Sequence, residues 1–240
     1  MKYTLGIFLI VTSNLNPETG MKQSLGSVAY QKIYRKIITL EYEPGEHLEE
    51  SRLVRELDIG RTPIREALMT LCGDLLVESQ PGKGFVVRPI TLQNTKAAFD
   101  ALEVMEQGIA PLVIRGQNDK CLLAMRRANE AMKEAVREMN ILSMVELNHS
   151  FHLDFATCSR NLYLTEALQK VRCETNRLAY LSYSTEIEPR QALQHHYDSV
   201  VHQHEEIINA ITTRDLPQLQ QVLRDHCAIF KNRIISYLTG

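Results

Sequence analysis

The 240-residue chain has few cysteines, no surplus of charge and no long apolar run. Its five cysteines, Cys72, Cys121, Cys158, Cys173 and Cys227, are odd in number and scattered, without a Cys-x-x-Cys pair. That argues against a closely spaced zinc or dithiol motif and reads as reduced core residues of a cytoplasmic protein. The formal net charge is −2, so gross charge gives no sign of a nucleic-acid partner. Residues 21–90 carry about as many acids as bases, and any basic surface there must come from arrangement. The apolar run inside Met1–Val11 is too short to span a bilayer, and no small-x-small cleavage site follows it. Residues 1–20 read as a non-native or disordered extension ahead of Met21, or alternatively as a short apolar arm that packs on a partner. Neither His-Glu-x-x-His nor a nucleophile elbow occurs. From Thr91 onward strand signals are missing and turn residues are rare.

The richest stretch is Glu56 to Leu68. Leu53, Leu57, Ile59, Ile64, Ala67, Leu68 and Leu71 form an apolar face at helical spacing, interrupted once by a turn. Pro63 falls in the first turn of the second helix, where its missing N–H costs nothing. Arg61, Thr62 and Arg65 lie on the opposite side at that helix's start. A major-groove recognition helix needs long donors there, because phosphates and guanine edges are acceptors. Taken alone, the same residues also describe a surface helix with two solvated arginines. Leu75–Ser79 and Phe85–Arg88 then read as strands around the turn Gln80-Pro81-Gly82-Lys83-Gly84. Helix, helix, hairpin is winged-helix order. The tip at Lys83 and Gly84 can approach a phosphate or the minor groove closely.

These residues resemble the GntR family of bacterial transcription regulators. The resemblance is carried by Glu43-Pro44-Gly45-Glu46-His47-Leu48-Glu49-Glu50, by Arg61-Thr62-Pro63-Ile64-Arg65-Glu66-Ala67-Leu68, and by Pro81-Gly82-Lys83-Gly84-Phe85-Val86-Val87. It implies that Arg61, Thr62, Pro63, Arg65, Lys83 and Gly84 meet DNA. Two positions depart from the family pattern. Asp58 stands for a turn glycine, which an Asp tolerates. Gly60 stands for a serine, removing an N-cap hydroxyl and a phosphate contact, so weaker DNA binding than in relatives is implied.

The rest reads as helix. Thr91–Arg115, Asn118–Met139, Ile141–Ser159, Asn161–Tyr183, Pro189–Thr213 and Leu216–Leu238 carry apolar residues at three- and four-residue spacing. Gly116, Asn140, Asn161, Pro189 and Asp215 punctuate them, and Asp215-Leu216-Pro217 is a helix start with Pro just inside. The expected fold is mainly α: a winged helix-turn-helix over residues 21–90, then an all-helical bundle over residues 91–240 for effector or metal binding and dimerisation. The bundle is similar to the C-terminal sensor domain (FCD) of the FadR-like branch of that family.

Asn148 and His152 are four apart and share a helix face. His204 and His226 lie on the last two helices. Spacing alone favours three histidines hydrogen-bonded inside a bundle. The resemblance implies a metal site instead: the branch has Asp-x-x-Phe-His on one helix and a His on each of the last two. Here Asn148-His149-Ser150-Phe151-His152, His204 and His226 occupy those places, with Asn148 for the Asp. The implied ion is divalent, zinc, nickel or manganese, and more weakly held because an amide oxygen brings no charge. His149, His195, His196 and His202 read as surface residues. Relatives that sense organic acids often pair Arg and Glu on the first sensor helix. Aligned through Phe99 and Glu106, the Arg position holds Leu102. Arg172 or Arg177 is the candidate anion partner; the plainer reading of each is a solvated arginine.

The expectation is a cytoplasmic, non-membrane regulator that binds a palindromic double-stranded operator as a homodimer, its affinity changed by a small carboxylate, a metal, or both. It is not expected to be an enzyme. The competing readings are a metal-dependent enzyme built on the same histidines, although Glu205 and Glu206 do not share the helix face of His204, and a sensor that has lost DNA binding through Asp58 and Gly60.

Overall fold

The computed structural model describes residues 24–116, 119–184 and 190–239. Residues 1–20, read as an extension, and Pro189 lie outside them. The chain divides between Pro89 and Ile90 into two compact units.

The first unit comprises α1 (Leu25–Ile38), β1 (His47–Leu48), α2 (Glu50–Leu57), α3 (Arg61–Gly73), β2 (Val77–Gln80) and β3 (Gly84–Val87). Every apolar position expected on the helix-turn-helix face is buried: Leu53, Leu57, Ile59, Ile64, Ala67, Leu68 and Leu71. Ala29, Ile33 and Ile37 of α1 pack into the same unit. The turn between α2 and α3 is made at Asp58, which is left-handed at φ 53°, the conformation that Asp tolerates in place of glycine. β2 and β3 form the hairpin, pairing Val77 with Val87 and Gln80 with Gly84. Sequence reading missed a third strand: β1 pairs with β3 through His47–Val86 and Leu48–Phe85. Two residues are too short to show alternation, and this strand exists only because β3 offers it an edge.

The second unit is a bundle of α4 (Leu92–Arg115), α5 (Asp119–Arg137), α6 (Ile141–Cys158), α7 (Leu162–Ser184), α8 (Arg190–Thr213) and α9 (Leu216–Thr239). The polar punctuation acts as caps. Thr91, Asn140, Asn161 and Asp215 each accept a backbone N–H three residues on, at 3.0–3.2 Å, satisfying donors that the first turn leaves open. Three helices end without glycine, on left-handed Met139, Arg160 and Arg214. Phe99, Ile109, Phe151, Phe155, Leu168, Leu178, Ile207 and Leu219 centre the core. α5 pairs with α6 and α4 with α9, while α8 packs on α5 and α9. His152, His204 and His226 are therefore carried on α6, α8 and α9.

The cysteine expectation needs correcting. Cys121 and Cys158 form a disulfide between α5 and α6, with Cα atoms 5.7 Å apart. Cys72, Cys173 and Cys227 are not disulfide-bonded, and the last two are buried. The pairing follows from the register of two adjacent helices, which a sequence separation of 37 does not reveal. Among the described residues no helix is long and apolar enough to cross a membrane.

Candidate functional site

Two sites emerge, one in each unit. In the first, α3 starts at Gly60, whose extended backbone (φ −62°, ψ 159°) caps the helix without a side-chain bond. Ile64, Ala67 and Leu68 are buried, so rotation of the helix is fixed. Arg61, Thr62 and Arg65 are thereby exposed, with Pro63 half-buried between them. Arg61 is 79% exposed, and its Nε donates to Glu50 Oε2 at 2.9 Å. At the hairpin tip Lys83 and Gly84 are also exposed. Gly82 and Gly84 sit at φ 73° and 79°, where a side chain would be strained. The arrangement presents guanidinium donors from the first turns of one helix and a cation from a tight loop.

In the second unit, His152, His204 and His226 converge. One ring nitrogen of each lies within 4.8 Å of the others, and all three rings are buried. The remaining nitrogens are held from outside. His152 Nδ1 lies 2.9 Å from Glu106 Oε1, close enough for an ion-pair contact but without hydrogen-bond alignment. His204 Nδ1 lies 3.0 Å from Asn129 Oδ1, and the Asn129 amide is oriented by donating to the Val201 carbonyl at 3.1 Å. His226 Nδ1 lies 3.0 Å from Gln203 Oε1. The two amide oxygens accept, which favours the proton on Nδ1 of His204 and His226 and leaves their Nε2 lone pairs free to ligate; the carboxylate beside His152 Nδ1 favours the same tautomer there. His152 Nε2 and His226 Nε2 then face each other at 3.0 Å, while His204 Nε2 has no partner among the described residues. With the protons on Nδ1, a cation between the Nε2 atoms relieves the facing lone pairs; with one proton on Nε2, the same contact is a hydrogen bond. The charged imidazolium is disfavoured: burial, the largest cause, drives all three imidazoles well below their ordinary pKa, and neighbouring histidines and Arg172 add to it.

Asn148, one turn before His152, adds a buried Oδ1 without a partner among the described residues. Three imidazole nitrogens and an amide oxygen suit zinc or nickel, and the oxygen extends the set toward manganese. The residues present thus fit the expected metal. Phe151 stacks on His204 with ring centroids 3.7 Å apart and fixes its plane. Glu106, Asn129 and Gln203 are the positioning residues that sequence reading did not assign to the histidines. Glu106 had been visible only as an alignment anchor. Nothing in a sequence marks Asn129 or Gln203, because each acts on a different helix.

A cavity adjoins the cluster, lined in part by Glu106, Asn148, Arg172 and His226. Arg172 is buried and donates to Glu106 Oε1 at 2.6 Å. It comes from α7, whereas related sensors would present an arginine at Leu102 on α4. Arg177 is also buried, but it is turned to Glu174 at 2.8 and 2.9 Å and does not line this cavity. Neither is the solvated arginine that its isolated position suggested. His149 is corrected likewise: it is 3% exposed, and burial, then Arg172, lowers its pKa to about 3. His196 is half-buried and bonded to the Tyr183 hydroxyl at 2.7 Å, whereas His195 and His202 are exposed. Glu205 pairs with Lys133 at 2.8 Å, leaving the histidines without a base from that position.

Comparison with known proteins adds the context. The pattern of the bacterial regulatory proteins of the gntR family matches residues 25–87, and that of the FCD domain matches residues 97–228. The chain is 22% identical to the uncharacterised HTH-type transcriptional regulator YdhC of Bacillus subtilis over 198 residues, covering 82% of this chain and 85% of that one. It is 19% identical to the HTH-type transcriptional repressor RspR of Escherichia coli over 218 residues, covering 91% and 90%. The structure of E. coli McbR/YncC superimposes with a TM-score of 0.74 at 16% identity, covering 90% of this chain and 98% of that one. At such identity the structural likeness is one of fold alone.

Proposed function

The chain belongs to the GntR family of bacterial regulatory proteins and carries an FCD domain, so it is a transcriptional regulator of that type, and from this premise we propose how it works. Two copies bind a two-fold operator, each placing the start of α3 in the major groove. Arg65 and Arg61 meet base edges and phosphates there, with Thr62 and Pro63 in the same first turn, and Lys83 with Gly84 meets backbone beside it. One short half-site rarely supplies enough affinity, which favours a homodimer. The protein works in the cytoplasm, where the operator is.

In the bundle, His152, His204 and His226 hold a divalent ion, with Asn148 as the weaker fourth ligand. A bound ion supplies a positive charge to which a carboxylate can attach. Glu106, Asn129 and Gln203 keep the imidazoles in the ligating tautomer. Arg172 steadies Glu106 and adds a second cation beside the cavity. A small carboxylate effector there alters operator affinity to the extent that it binds one state of the dimer better.

The observation that carries this reading is the exposed arginine-bearing start of α3 over a fully buried apolar face. Selection of bound DNA from a random pool tests it, followed by release assays with metals and carboxylates. Enrichment of a two-fold sequence, lost with Arg65→Ala, is expected. Absence of any enriched sequence at low salt refutes operator binding and leaves a sensor without it.

A further inference from the structure

Cys121 and Cys158 lie outside both candidate sites, and solvent reaches them unequally. Cys121 is half-buried in the first turn of α5. Cys158 is the last residue of α6 and is 1% exposed, its Sγ 4.0 Å from the Sδ of the buried Met125. Open backbone N–H groups make the first turn of a helix favourable to negative charge. A thiolate, not a thiol, is what attacks a disulfide. Asp119 and Lys120 beside Cys121 are both exposed and opposite in charge, so neither sign dominates there except through the helix end. An accessible cysteine at a helix start, with a buried partner in bonding reach, is the arrangement of an attacking and a resolving thiol.

The place of the bond gives it a consequence. Residues 138–140 join α5 to α6 at one end of the pair, and Cys121–Cys158 closes the other. Between those two ties the pair carries Asn129, which holds His204, together with Asn148 and His152. Oxidation therefore closes a ring of two helices around part of the frame of the histidine cluster, and reduction leaves one end of it open. Disulfides are rare in a reducing cytoplasm, and those that form there are usually transient, catalytic or redox-sensing.

We propose that Cys121 and Cys158 are a reversible modification site for a glutathione-type disulfide, and that closing their bond tightens metal binding by the bundle. The inference rests on the cytoplasmic and metal-binding readings proposed for this chain. The Cys121 thiolate attacks one sulfur of glutathione disulfide, forming a mixed disulfide and releasing one glutathione thiolate. The Cys158 thiolate then attacks the Cys121 sulfur, forming the internal bond and releasing the second glutathione. The two cysteines give up two electrons and, to solvent, two protons. Glutathione disulfide takes the two electrons and becomes two thiols. Excess reduced glutathione runs the same steps backwards.

The test equilibrates the full chain anaerobically with reduced glutathione or with glutathione disulfide, then quenches in acid, alkylates and maps peptides by mass. Thiols at Cys121 and Cys158 are expected in the first buffer and their mutual bond in the second. Cys158→Ser should stop at a glutathione adduct on Cys121, whereas Cys121→Ser should leave Cys158 unmodified. The disulfide form should melt roughly 4–16 °C above the reduced form. Calorimetry should give it an affinity for zinc about fivefold or more above that of the reduced form. The double variant Cys121→Ser with Cys158→Ser, which has no thiol there to take zinc, should match the reduced form. A bond that survives reduced glutathione in the native chain is structural and overturns the proposal, as does a bond that fails to form in glutathione disulfide. Equal zinc affinity in both forms overturns the coupling while the metal reading stands. If zinc binds neither form, the metal reading fails and the coupling with it, whatever the peptide map shows of the two thiols.

Discussion

Removal of the metal is the perturbation with the largest expected consequence. The proposed ligands come from α6, α8 and α9, and an ion held by all three would tie together helices that otherwise rely on packing. Binding to the folded state alone stabilises by about 4.1 kcal/mol when free metal is about 1,000-fold above its dissociation constant. For a protein of this length, each kcal/mol shifts the melting temperature by roughly 2–4 °C. Zinc or nickel added to chelator-stripped protein should therefore raise the melting temperature by roughly 8–16 °C. His204→Ala should abolish the rise. That variant also loses the ring stacked on Phe151 at 3.7 Å and will melt lower in any case. The quantity to compare is thus the metal-induced difference within each protein, from which the packing loss cancels. Asn148→Asp supplies the charged oxygen that the site lacks. A tenfold gain in affinity, about 1.4 kcal/mol, adds roughly 3–6 °C to the rise at the same metal concentration. Differential scanning fluorimetry with calorimetric titration measures both. If zinc, nickel and manganese all leave the stripped protein unmoved, or if the His204 variant responds equally, the three histidines are structural and the metal reading is wrong.

Three further outcomes are expected. Arg65→Ala should weaken operator binding by about 1–3 kcal/mol if Arg65 reads a guanine bidentately; titration of the selected operator at fixed salt checks this, and unchanged affinity in both Arg61→Ala and Arg65→Ala removes α3 from the groove. Sedimentation equilibrium should return a dimer at micromolar concentration, and a clean monomer with and without DNA contradicts the two-fold complex. The metal-stripped protein should be acid-sensitive, because His149, His152, His204 and His226 are all buried with lowered pKa values. The unfolded imidazoles take up protons as pH falls below about 6.5 and the folded ones do not, so stability is full above that value and declines below it by up to about 1.4 kcal/mol per pH unit for each group. A denaturant midpoint unchanged between pH 7.5 and 5 speaks against that burial.

The sequence by itself determined the helical unit and the recognition helix, because both rest on local rules. Apolar residues at three- and four-residue spacing decide which face of a helix is buried, and Thr91, Asn140, Asn161 and Asp215 cap helices where their short side chains reach backbone three residues on. The same periodicity leaves Arg61 and Arg65 outside once Ile64 and Leu68 are in. Only the tertiary structure decided what meets across helices. The convergence of the three imidazoles, the contacts of their Nδ1 atoms with Glu106, Asn129 and Gln203, and the Arg172–Glu106 pair all depend on how α4 to α9 pack. So do the burial of His149, which a polar residue beside an apolar stripe does not announce, and the Cys121–Cys158 bond. Local spacing fixes which way a side chain leaves its own helix, and packing alone fixes what it finds there.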